Sequence, residues 1–154
     1  MHAALTIRRY QESDLRDVIS VFQLSVRQIA SRDYTSQQIA AWTQITPDIW
    51  HNRLEKNFTC LAFCEDSLAG FASVENSDYL DLLFTHPHYQ RRGVASLLLA
   101  TVENSRAAAH LTIVTDASIT ARPFFIRHGF QLSKMQQVSV RGEVFINYRM
   151  EKQL

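Results

Sequence analysis

The chain has 154 residues, a length that fits one domain spanning residues 1–154 and allows a sizeable hydrophobic core. Sixteen Lys and Arg against fifteen Asp and Glu leave a formal net charge of +1, which argues against a general nucleic-acid or membrane-surface binder. No apolar run approaches the roughly 18 residues of a membrane span, and the first residues have a strand pattern rather than a signal-peptide pattern, so we expect a cytoplasmic protein.

The N-terminal third of the chain predicts one strand followed by three helices. Apolar residues recur at helical spacing up to Ile29, and Ser, Thr and Pro stand where helices would begin. The predicted elements are a strand at Leu5–Arg9, a helix capped by Ser13 and carrying Leu15 to Ile29, a helix beginning at Thr35 or Ser36, and a short helix opened by Pro47.

The middle of the chain predicts a β-hairpin, a central strand and an amphipathic helix. The predicted elements are strands at Phe58–Cys64, Leu68–Val74 and Tyr79–Thr85, followed by a helix from Val94 to Glu103. The hairpin turns at residues 65–67, and we expect a bulge at Gly70. Pairing of the central strand should stop before Pro87, which has no N–H to donate.

The two cysteines, Cys60 and Cys64, lie on the first strand of this hairpin. At about 3.3 Å per residue they are about 13 Å apart, too far for a disulfide. We therefore expect two reduced core thiols. With no Cys-x-x-Cys motif and no clustered His, no metal site is predicted.

The C-terminal third predicts a strand, a helix and a final hairpin. The predicted elements are a strand at Leu111–Thr115, a helix capped by Ser118 with Pro123 in its first turns and Gly129 at its end, and strands at Gln131–Val140 and Glu143–Met150 joined at Arg141-Gly142. These bring the predicted sheet to seven strands.

The turn between the central strand and its helix is suited to binding an anion. Gly93 lets the backbone approach a ligand, and the first helical N–H groups have no partner inside the helix. Hydrogen bonds to a charged group contribute about 1.5 to 3 kcal/mol each, whereas exposed Arg pairs contribute about 0 to 1 kcal/mol. We therefore expect backbone amides to supply most of the binding free energy of the anion, and Arg91 and Arg92 to guide the anion to the site. The turn lacks the Gly-Lys-Ser/Thr of a Walker loop and the three glycines of a dinucleotide fingerprint.

Two blocks of this chain resemble the GNAT superfamily of acyl-CoA N-acyltransferases. Gln90-Arg91-Arg92-Gly93-Val94-Ala95 matches the family's pyrophosphate loop, Gln or Arg, two residues, Gly, one residue, Gly or Ala. Leu83 to Tyr89 is similar to the strand end and turn that precede this loop. Ser118 to Ala121, followed by Phe124 to Phe130, is similar to the helix that flanks the pantetheine arm and ends in Gly-Phe.

The resemblance implies an α/β (α+β) fold with a mixed, mostly antiparallel sheet of about seven strands, flanked by helices and splayed near the cofactor. It implies acetyl-CoA as cofactor, with an oxyanion held by main-chain N–H groups near Phe84 and Thr85. The cofactor-binding residues that it implies are Leu83, Phe84, Thr85, Gln90, Arg91, Arg92, Gly93, Val94, Ala95, Ser96, Ser118 and Phe125.

Asp81 is the candidate catalytic base. An aliphatic amine with a pKa near that of Lys costs on the order of 4.6 kcal/mol to deprotonate at neutral pH, so a base or a water relay is worth having. Asp81 lies on the central strand, on one face with Tyr79 and Leu83. The alternative is a structural carboxylate bonded to nearby backbone or to an Arg. Family members place the base at several positions on this and neighbouring strands.

The chain departs from the family pattern at two positions. Many relatives have a Tyr, proposed to protonate the leaving thiolate, where this chain has Phe125, and an Asn where it has Ser118. A thiol with a pKa of about 8.5 needs only about 2 kcal/mol of help at neutral pH, so loss of the Tyr is survivable. Water, Tyr79 and Tyr148 remain as alternative proton donors.

The resemblance implies that the acceptor meets residues 32–56, since the corresponding region meets the acceptor in the GNAT superfamily and varies widely between its subfamilies. Tyr34, Trp42 and Tyr79 are the predicted substrate-binding residues, with Trp50 as a further candidate. The alternative is that both Trp side chains anchor the core. The aromatic residues favour a flat or apolar acceptor.

We expect an acetyl-CoA-dependent N-acetyltransferase that acts by direct transfer on a primary amine of a small molecule or peptide. Two alternatives stay open: an acyl-CoA-binding module whose catalysis has decayed, and an enzyme that acetylates charged tRNA. The near-neutral charge argues against the tRNA acceptor. The sequence leaves the oligomeric state open, a homodimer included.

Overall fold

The computed structural model describes residues 4–105 and 112–154, and its centre is a seven-stranded sheet. The strands are β1 (Leu5–Arg9), β2 (Phe58–Cys64), β3 (Ser67–Glu75), β4 (Tyr79–Thr85), β5 (Thr112–Ser118), β6 (Gln131–Val140) and β7 (Glu143–Gln153). They follow the order β1-β2-β3-β4-β5-β7-β6 along the sheet. All neighbours are antiparallel except β4 and β5, so the expected mixed, mostly antiparallel fold is confirmed.

Strands β4 and β5 separate soon after they meet. Their parallel pairing consists of Tyr79 opposite Val114 and Leu80 opposite Thr115. Beyond these pairs β4 stays paired with β3, while β5 stays paired with β7. The expected splay is therefore present, and it leaves the β5-facing backbone of residues 81–85 without a strand partner.

Helices cover both faces of the sheet. They are α1 (Leu15–Gln28), α2 (Ser36–Trp42), α3 (Pro47–Lys56), α4 (Val94–Asn104) and α5 (Arg122–Arg127). On one face Phe22 of α1 and Leu54 of α3 pack in one apolar cluster with Phe71. On the other face Leu98 of α4 packs in a second cluster with Ala72. Phe71 and Ala72 are neighbours on β3, whose side chains alternate between faces.

Most helix and turn signals in the sequence are confirmed. Helix α2 begins after Thr35, whose Oγ1 accepts a hydrogen bond from the Gln38 amide at 3.1 Å, and α3 begins at Pro47. Gly129 ends α5 with φ +90°, and the Phe130 amide donates to the Phe125 carbonyl at 3.0 Å. Glycine fits this left-handed position because it has no Cβ.

The predicted Ser13 cap is wrong. Ser13 lies inside a 3₁₀ turn of residues 12–14, and α1 begins after it. Asp14 directly precedes α1, and its carboxylate instead accepts a hydrogen bond from the Gln11 amide at 2.8 Å, at the start of the 3₁₀ turn. Arg8 pairs with the same carboxylate at 2.7 Å, and its hydrogen bond holds the pKa of Asp14 below the ordinary value.

The predicted Ser118 cap is also wrong, because β5 runs further than expected. Ser118 is the last residue of β5 and lies opposite Asn147 of β7. Its Oγ accepts a hydrogen bond from the Ala121 amide at 3.0 Å, and α5 begins only after Ala121. Pairing with β7 along its whole length extends the strand. The predicted strand start, Leu111, lies outside the described residues.

The expected bulge in β3 falls beside Gly70. Ala62 pairs with Gly70 and Phe63 with Leu68, so Ala69 is the extra residue. A Cβ on Gly70 would lie 2.8 Å from the Phe84 carbonyl oxygen and 2.8 Å from Cγ1 of Val94. The absence of this Cβ lets the first turn of α4 pack directly on β3 and β4.

Both cysteines are buried free thiols, as expected. Burial raises the pKa of Cys60 to about 11, so this thiol stays protonated at neutral pH. None of the helices in residues 4–105 and 112–154 is long and apolar enough to cross a membrane.

Candidate active site

The N-terminus of α4 forms an open cradle of backbone amides. Gly93 immediately precedes α4 with φ +77°, and Arg91 also has a positive φ of +61°. The first intrahelical hydrogen bond runs from the Leu97 amide to the Gly93 carbonyl at 2.9 Å. The amides of residues 94–96 therefore precede the helical hydrogen bonds and, with the helix dipole, favour an anion.

Residues 90–96, the predicted diphosphate-binding turn, form this cradle. Apart from residues 92–94 themselves, no atom lies within 4 Å of the position that a Cβ on Gly93 would occupy. Ser96, in the first turn, adds a hydroxyl that lies 3.0 Å from Nε2 of His128. Nδ1 of His128 lies 2.9 Å from the Phe124 carbonyl. In the neutral ring Nδ1 donates to this carbonyl, so Nε2 accepts from Ser96 and links α5 to the cradle.

A cleft of about 900 Å³ extends from this cradle, past the splayed ends of β4 and β5, to an aromatic wall. It brings together fourteen of the residues that the sequence predicted for the site. They are Tyr34, Trp42, Asp81, Leu83, Phe84, Thr85, Gln90, Arg91, Gly93, Val94, Ala95, Ser96, Ser118 and Phe125.

Two predicted site residues, Arg92 and Tyr79, do not line this cleft. The Arg92 guanidinium lies 5.3 Å from the centre of the Tyr89 ring, where it packs on the turn. Tyr79 lies where β4 is still paired with β5, before the two strands separate. Tyr79 therefore lies outside the cleft, and its role in substrate binding stays a prediction.

The Tyr79 hydroxyl belongs instead to a network around Asp116. Tyr79 donates to Asp116 at 2.7 Å, and Gln136 and Arg149 donate to the same carboxylate at 2.8 and 2.9 Å. Burial alone would raise the pKa of Asp116, but these hydrogen bonds outweigh it and lower the pKa below the ordinary value. Burial and the hydrogen bond to Asp116 raise the pKa of Tyr79. One carboxylate on β5 thus connects β4, β6 and β7.

Replacing Asp116 by Asn is expected to lower the free energy of unfolding by about 1 to 2 kcal/mol at pH 7, a modest value because Arg149 is 44% exposed. Since the pKa of Asp116 is lower in the folded than in the unfolded chain, its stabilisation is complete well above about pH 4 and is lost as the pH falls through the folded value. Urea unfolding at pH 7 and pH 3 measures both effects. An equal difference between the two proteins at both pH values would contradict this account.

Asp81 lies at the edge of the cleft and is bound by an arginine. Arg53 of α3 donates from Nε and Nη2 to the two carboxylate oxygens, each at 2.6 Å, and Asn57 Nδ2 lies 3.3 Å from Oδ2. The Asp81 side chain is 9% exposed and that of Arg53 is 40% exposed. The hydrogen bond to Asp81 raises the pKa of Arg53. These contacts are the ones expected of the alternative to a catalytic base, a structural carboxylate bonded to an Arg.

An aromatic wall forms the far end of the cleft. Its rings come from α1, β4, β7, α2 and the segment before α2, and they pack edge to face or tilted, with centroid distances of 4.9 to 6.5 Å. They are Phe22, Tyr34, Trp42, Phe84 and Phe145. The Tyr34 hydroxyl oxygen accepts a hydrogen bond from the Ile119 amide at 2.9 Å, which ties the wall to the loop after β5.

The two tryptophans have different surroundings. Trp50 is 7% exposed and packs between Phe22 and Phe71, with ring centroids 4.7 and 6.5 Å away. It anchors the core, as the alternative interpretation held. Trp42 is half-buried, and both Trp42 and Trp50 are among the residues that line the cleft.

No hydroxyl replaces the missing Tyr at position 125. Phe125 is 3% exposed and packs on Phe124 and Phe130 at centroid distances of 5.3 and 5.0 Å. Tyr148 lies beneath the Arg122 guanidinium at 4.4 Å and does not line the cleft. Of the predicted side-chain donors, neither Tyr79 nor Tyr148 lines the cleft.

Several cleft residues were not predicted from the sequence. Arg53 and His128 lie on helix surfaces, where a charged or polar residue is ordinary. Phe145 lies on a strand, and its sequence pattern is that of an ordinary buried core residue. Asp116 did carry a signal, since it interrupts an apolar strand in the same way as Asp81.

The chain is similar to known acetyltransferases. A family model described as an acetyltransferase (GNAT) domain matches residues 30–152. The chain is 43% identical to the uncharacterized N-acetyltransferase YafP of Escherichia coli (strain K12) over 147 residues, which cover 95% of this chain and 94% of the relative.

Two solved structures resemble this one. The crystal structure described as "GCN5-Related N-acetyltransferase: Aminotransferase, Class-II", from Rhodopseudomonas palustris, superposes with a TM-score of 0.94 at 30% identity, over 100% of this chain and 97% of that chain. The PaiA N-acetyltransferase of Thermoplasma acidophilum, solved in complex with coenzyme A, has a TM-score of 0.77 at 17% identity, over 98% and 99% of the two chains, and shows the fold alone. The chain therefore belongs to the GNAT family of N-acetyltransferases, acyltransferases that use acetyl-CoA.

Proposed function

We propose that this enzyme transfers the acetyl group of acetyl-CoA directly to a primary amine of a small molecule or peptide bound at the aromatic wall. The observation that carries the proposal is the cleft, which runs from the amide cradle past the β4–β5 splay to that wall. Donor and acceptor can therefore meet in one space. Cys60 and Cys64 are 1% and 8% exposed and do not line the cleft, which supports transfer without a cysteine-bound intermediate.

The residues proposed to hold the cofactor are those of the cradle and of the splayed part of β4. Amides of residues 94–96 would bind the diphosphate, and Ser96 and Arg91 would add contacts to it. The cofactor supplies a thioester carbonyl that the amine can attack. Main-chain groups near Phe84 and Thr85, on the side that β5 has left, would bind the carbonyl oxygen as negative charge develops there.

For the amine proton we propose a water relay, with Asp81 as a positioning residue. Arg53 engages both carboxylate oxygens of Asp81, so Asp81 could accept a proton only by giving up part of this pair. The pair instead holds α3 against β4 at the edge of the acceptor space. The leaving thiolate needs only about 2 kcal/mol of help at neutral pH, which water can supply.

Replacing Asp81 by Asn tests this assignment. If Asp81 is a positioning residue, the substitution lowers the free energy of unfolding by about 1 kcal/mol, a small loss because Arg53 is partly exposed. The pH–rate profile then keeps its shape from pH 6 to 9. Thermal unfolding and initial rates measure the two effects, with Asp66→Asn in the β2–β3 turn as the control. A large rate loss below pH 8 without a loss of stability would make Asp81 the base.

A thiol-release assay with acetyl-CoA and a panel of amines tests the function. Turnover with at least one small primary amine is expected. Acetyl-CoA binding without turnover on any acceptor would instead favour a decayed binding module, and turnover on charged tRNA with strong salt dependence would favour the nucleic-acid acceptor. A cytoplasmic location belongs to this proposal, and two buried free thiols fit a reducing compartment.

A further inference from the structure

Charges along the cleft identify a class of acceptor, an inference that rests on the proposed function. We propose that the acceptor is a primary amine that carries a carboxylate beside an aromatic or apolar body, and that Arg141 binds this carboxylate. The enzyme would thus discriminate against polyamines and lysine-like amines.

The acidic groups of the cleft are already bonded. Among the described residues, the carboxylates that line it are Asp81 and Asp116. Arg53 binds both oxygens of Asp81, and Tyr79, Gln136 and Arg149 bind Asp116. A second ammonium group on the acceptor would therefore find no free carboxylate in this part of the protein. Burying such a charge without a partner is costly.

The basic groups of the cleft divide between its two ends. Arg91 belongs to the cradle, and Arg127 precedes His128, which contacts Ser96 of the cradle. Arg32 and Arg141 belong to the other end. Arg32 lies two residues before Tyr34 of the aromatic wall, and Arg141 bonds to the residue before Trp42. The acceptor end therefore carries positive charge.

Arg141 is exposed, and a hydrogen bond ties it to α2. It lies in the two-residue turn between β6 and β7 with φ +47°, a conformation that non-glycine residues adopt rarely. Its Nη1 donates to the Ala41 carbonyl at 2.7 Å, at the end of α2. Gln38 of the same helix donates to the Val144 carbonyl at 2.8 Å and fastens the hairpin there.

The remaining donors of Arg141 suit a carboxylate. Within residues 4–105 and 112–154, no hydrogen bond occupies its Nε or Nη2. A guanidinium presents donors in a planar fork that matches a carboxylate and is pre-organised by its first bond. The rings of Trp42 and Phe145 lie 6.1 Å apart at this end of the cleft and would contact the apolar body of the same molecule.

The transfer leaves the carboxylate unchanged. The amine nitrogen forms a bond to the carbonyl carbon of the thioester, and the carbon–sulfur bond breaks with its electron pair going to sulfur. The nitrogen loses one proton to water, and the thiolate gains one from water. The carboxylate only orients the acceptor, so its removal should act mainly on KM.

Phenylalanine and phenethylamine form a matched pair of probes, because they differ only in the carboxylate. The wild-type enzyme is expected to have a kcat/KM for phenylalanine at least about tenfold above that for phenethylamine, and further above that for spermidine. Arg141→Gln should lower the phenylalanine value about tenfold and bring the ratio of the two close to one. Arg141→Lys should restore part of it, and Arg16→Gln, an exposed arginine of α1, should preserve the ratio.

Quenching of tryptophan fluorescence separates this inference from the proposed function, because it measures acceptor binding without turnover. Binding of phenylalanine over phenethylamine that is lost in Arg141→Gln supports the inference even if no amine is acetylated, in which case only the proposed function fails. Equal binding and turnover of the two probes, or a preference for spermidine, would overturn the inference. A phenylalanine preference that survives in Arg141→Gln would overturn the assignment to Arg141.

Discussion

Replacing Gly93 by Val is expected to weaken acetyl-CoA binding by at least about 100-fold, the equivalent of losing one or two hydrogen bonds to a charged group. Gly93 has φ +77°, and this left-handed conformation costs a non-glycine residue about 1 to 2 kcal/mol. A β-branched side chain should push the backbone out of it and rotate the amides of residues 94–96. Titration calorimetry with acetyl-CoA measures the loss.

Gly142 supplies the control for backbone strain. It has φ +84°, and like Gly93 it has no atom within 4 Å of a Cβ position. Gly142→Val should therefore cause similar local strain in the β6–β7 turn but leave acetyl-CoA affinity close to that of the wild type. Equal loss of affinity in both variants would mean that strain in general, and not the cradle, decides binding.

Replacing Gly70 by Ala is expected to destabilise the protein by about 1 to 3 kcal/mol and to weaken acetyl-CoA binding as well. The new Cβ would lie 2.8 Å from the Phe84 carbonyl oxygen, a backbone atom, and 2.8 Å from Cγ1 of Val94. Relief of this clash moves the first turn of α4 away from β4, and the cradle moves with it. Chemical unfolding and calorimetry measure the two effects.

Two results would test whether packing at Gly70 controls the position of the cradle. Gly142→Ala adds a Cβ that would have no atom within 4 Å outside the adjoining residues, so it should leave acetyl-CoA affinity unchanged. If Gly70→Ala lost stability but bound acetyl-CoA as tightly as the wild type, the packing of α4 on β3 would not control the cradle.

The sequence predicted the fold well where local patterns decide the structure. Strands β1, β2, β4 and β6 have the predicted bounds, and α3 begins at Pro47. Prediction failed where a partner far away in the sequence determines the local structure. Strand β5 runs on to Ser118 because β7 pairs with it along its length, and no local pattern contains that information. The cap at Ser13 failed for a similar reason, since Arg8 of β1 supports the carboxylate of Asp14.

For the candidate site, the sequence predicted most of the residues that line the cleft, but not the contacts that these residues make. The turn and the helix start predicted at residues 90–96 are present, because backbone geometry there follows from local glycine and helix rules. The role of these residues in binding the cofactor stays a prediction. The surroundings of Asp81 could not be predicted, because Arg53 reaches it from a helix 28 residues earlier. The position of Tyr79 outside the cleft could not be predicted either, because the point at which β4 and β5 separate depends on pairing across 35 residues. The aromatic wall joins residues as far apart as Tyr34 and Phe145.

A crystal structure of this protein with coenzyme A bound tests the central claim most directly. We expect the diphosphate within hydrogen-bond distance of the amides of residues 94–96, and the thiol between the separated ends of β4 and β5, facing Trp42 and Phe145. A diphosphate bound away from this helix end, or a thiol turned away from the aromatic wall, would contradict the account.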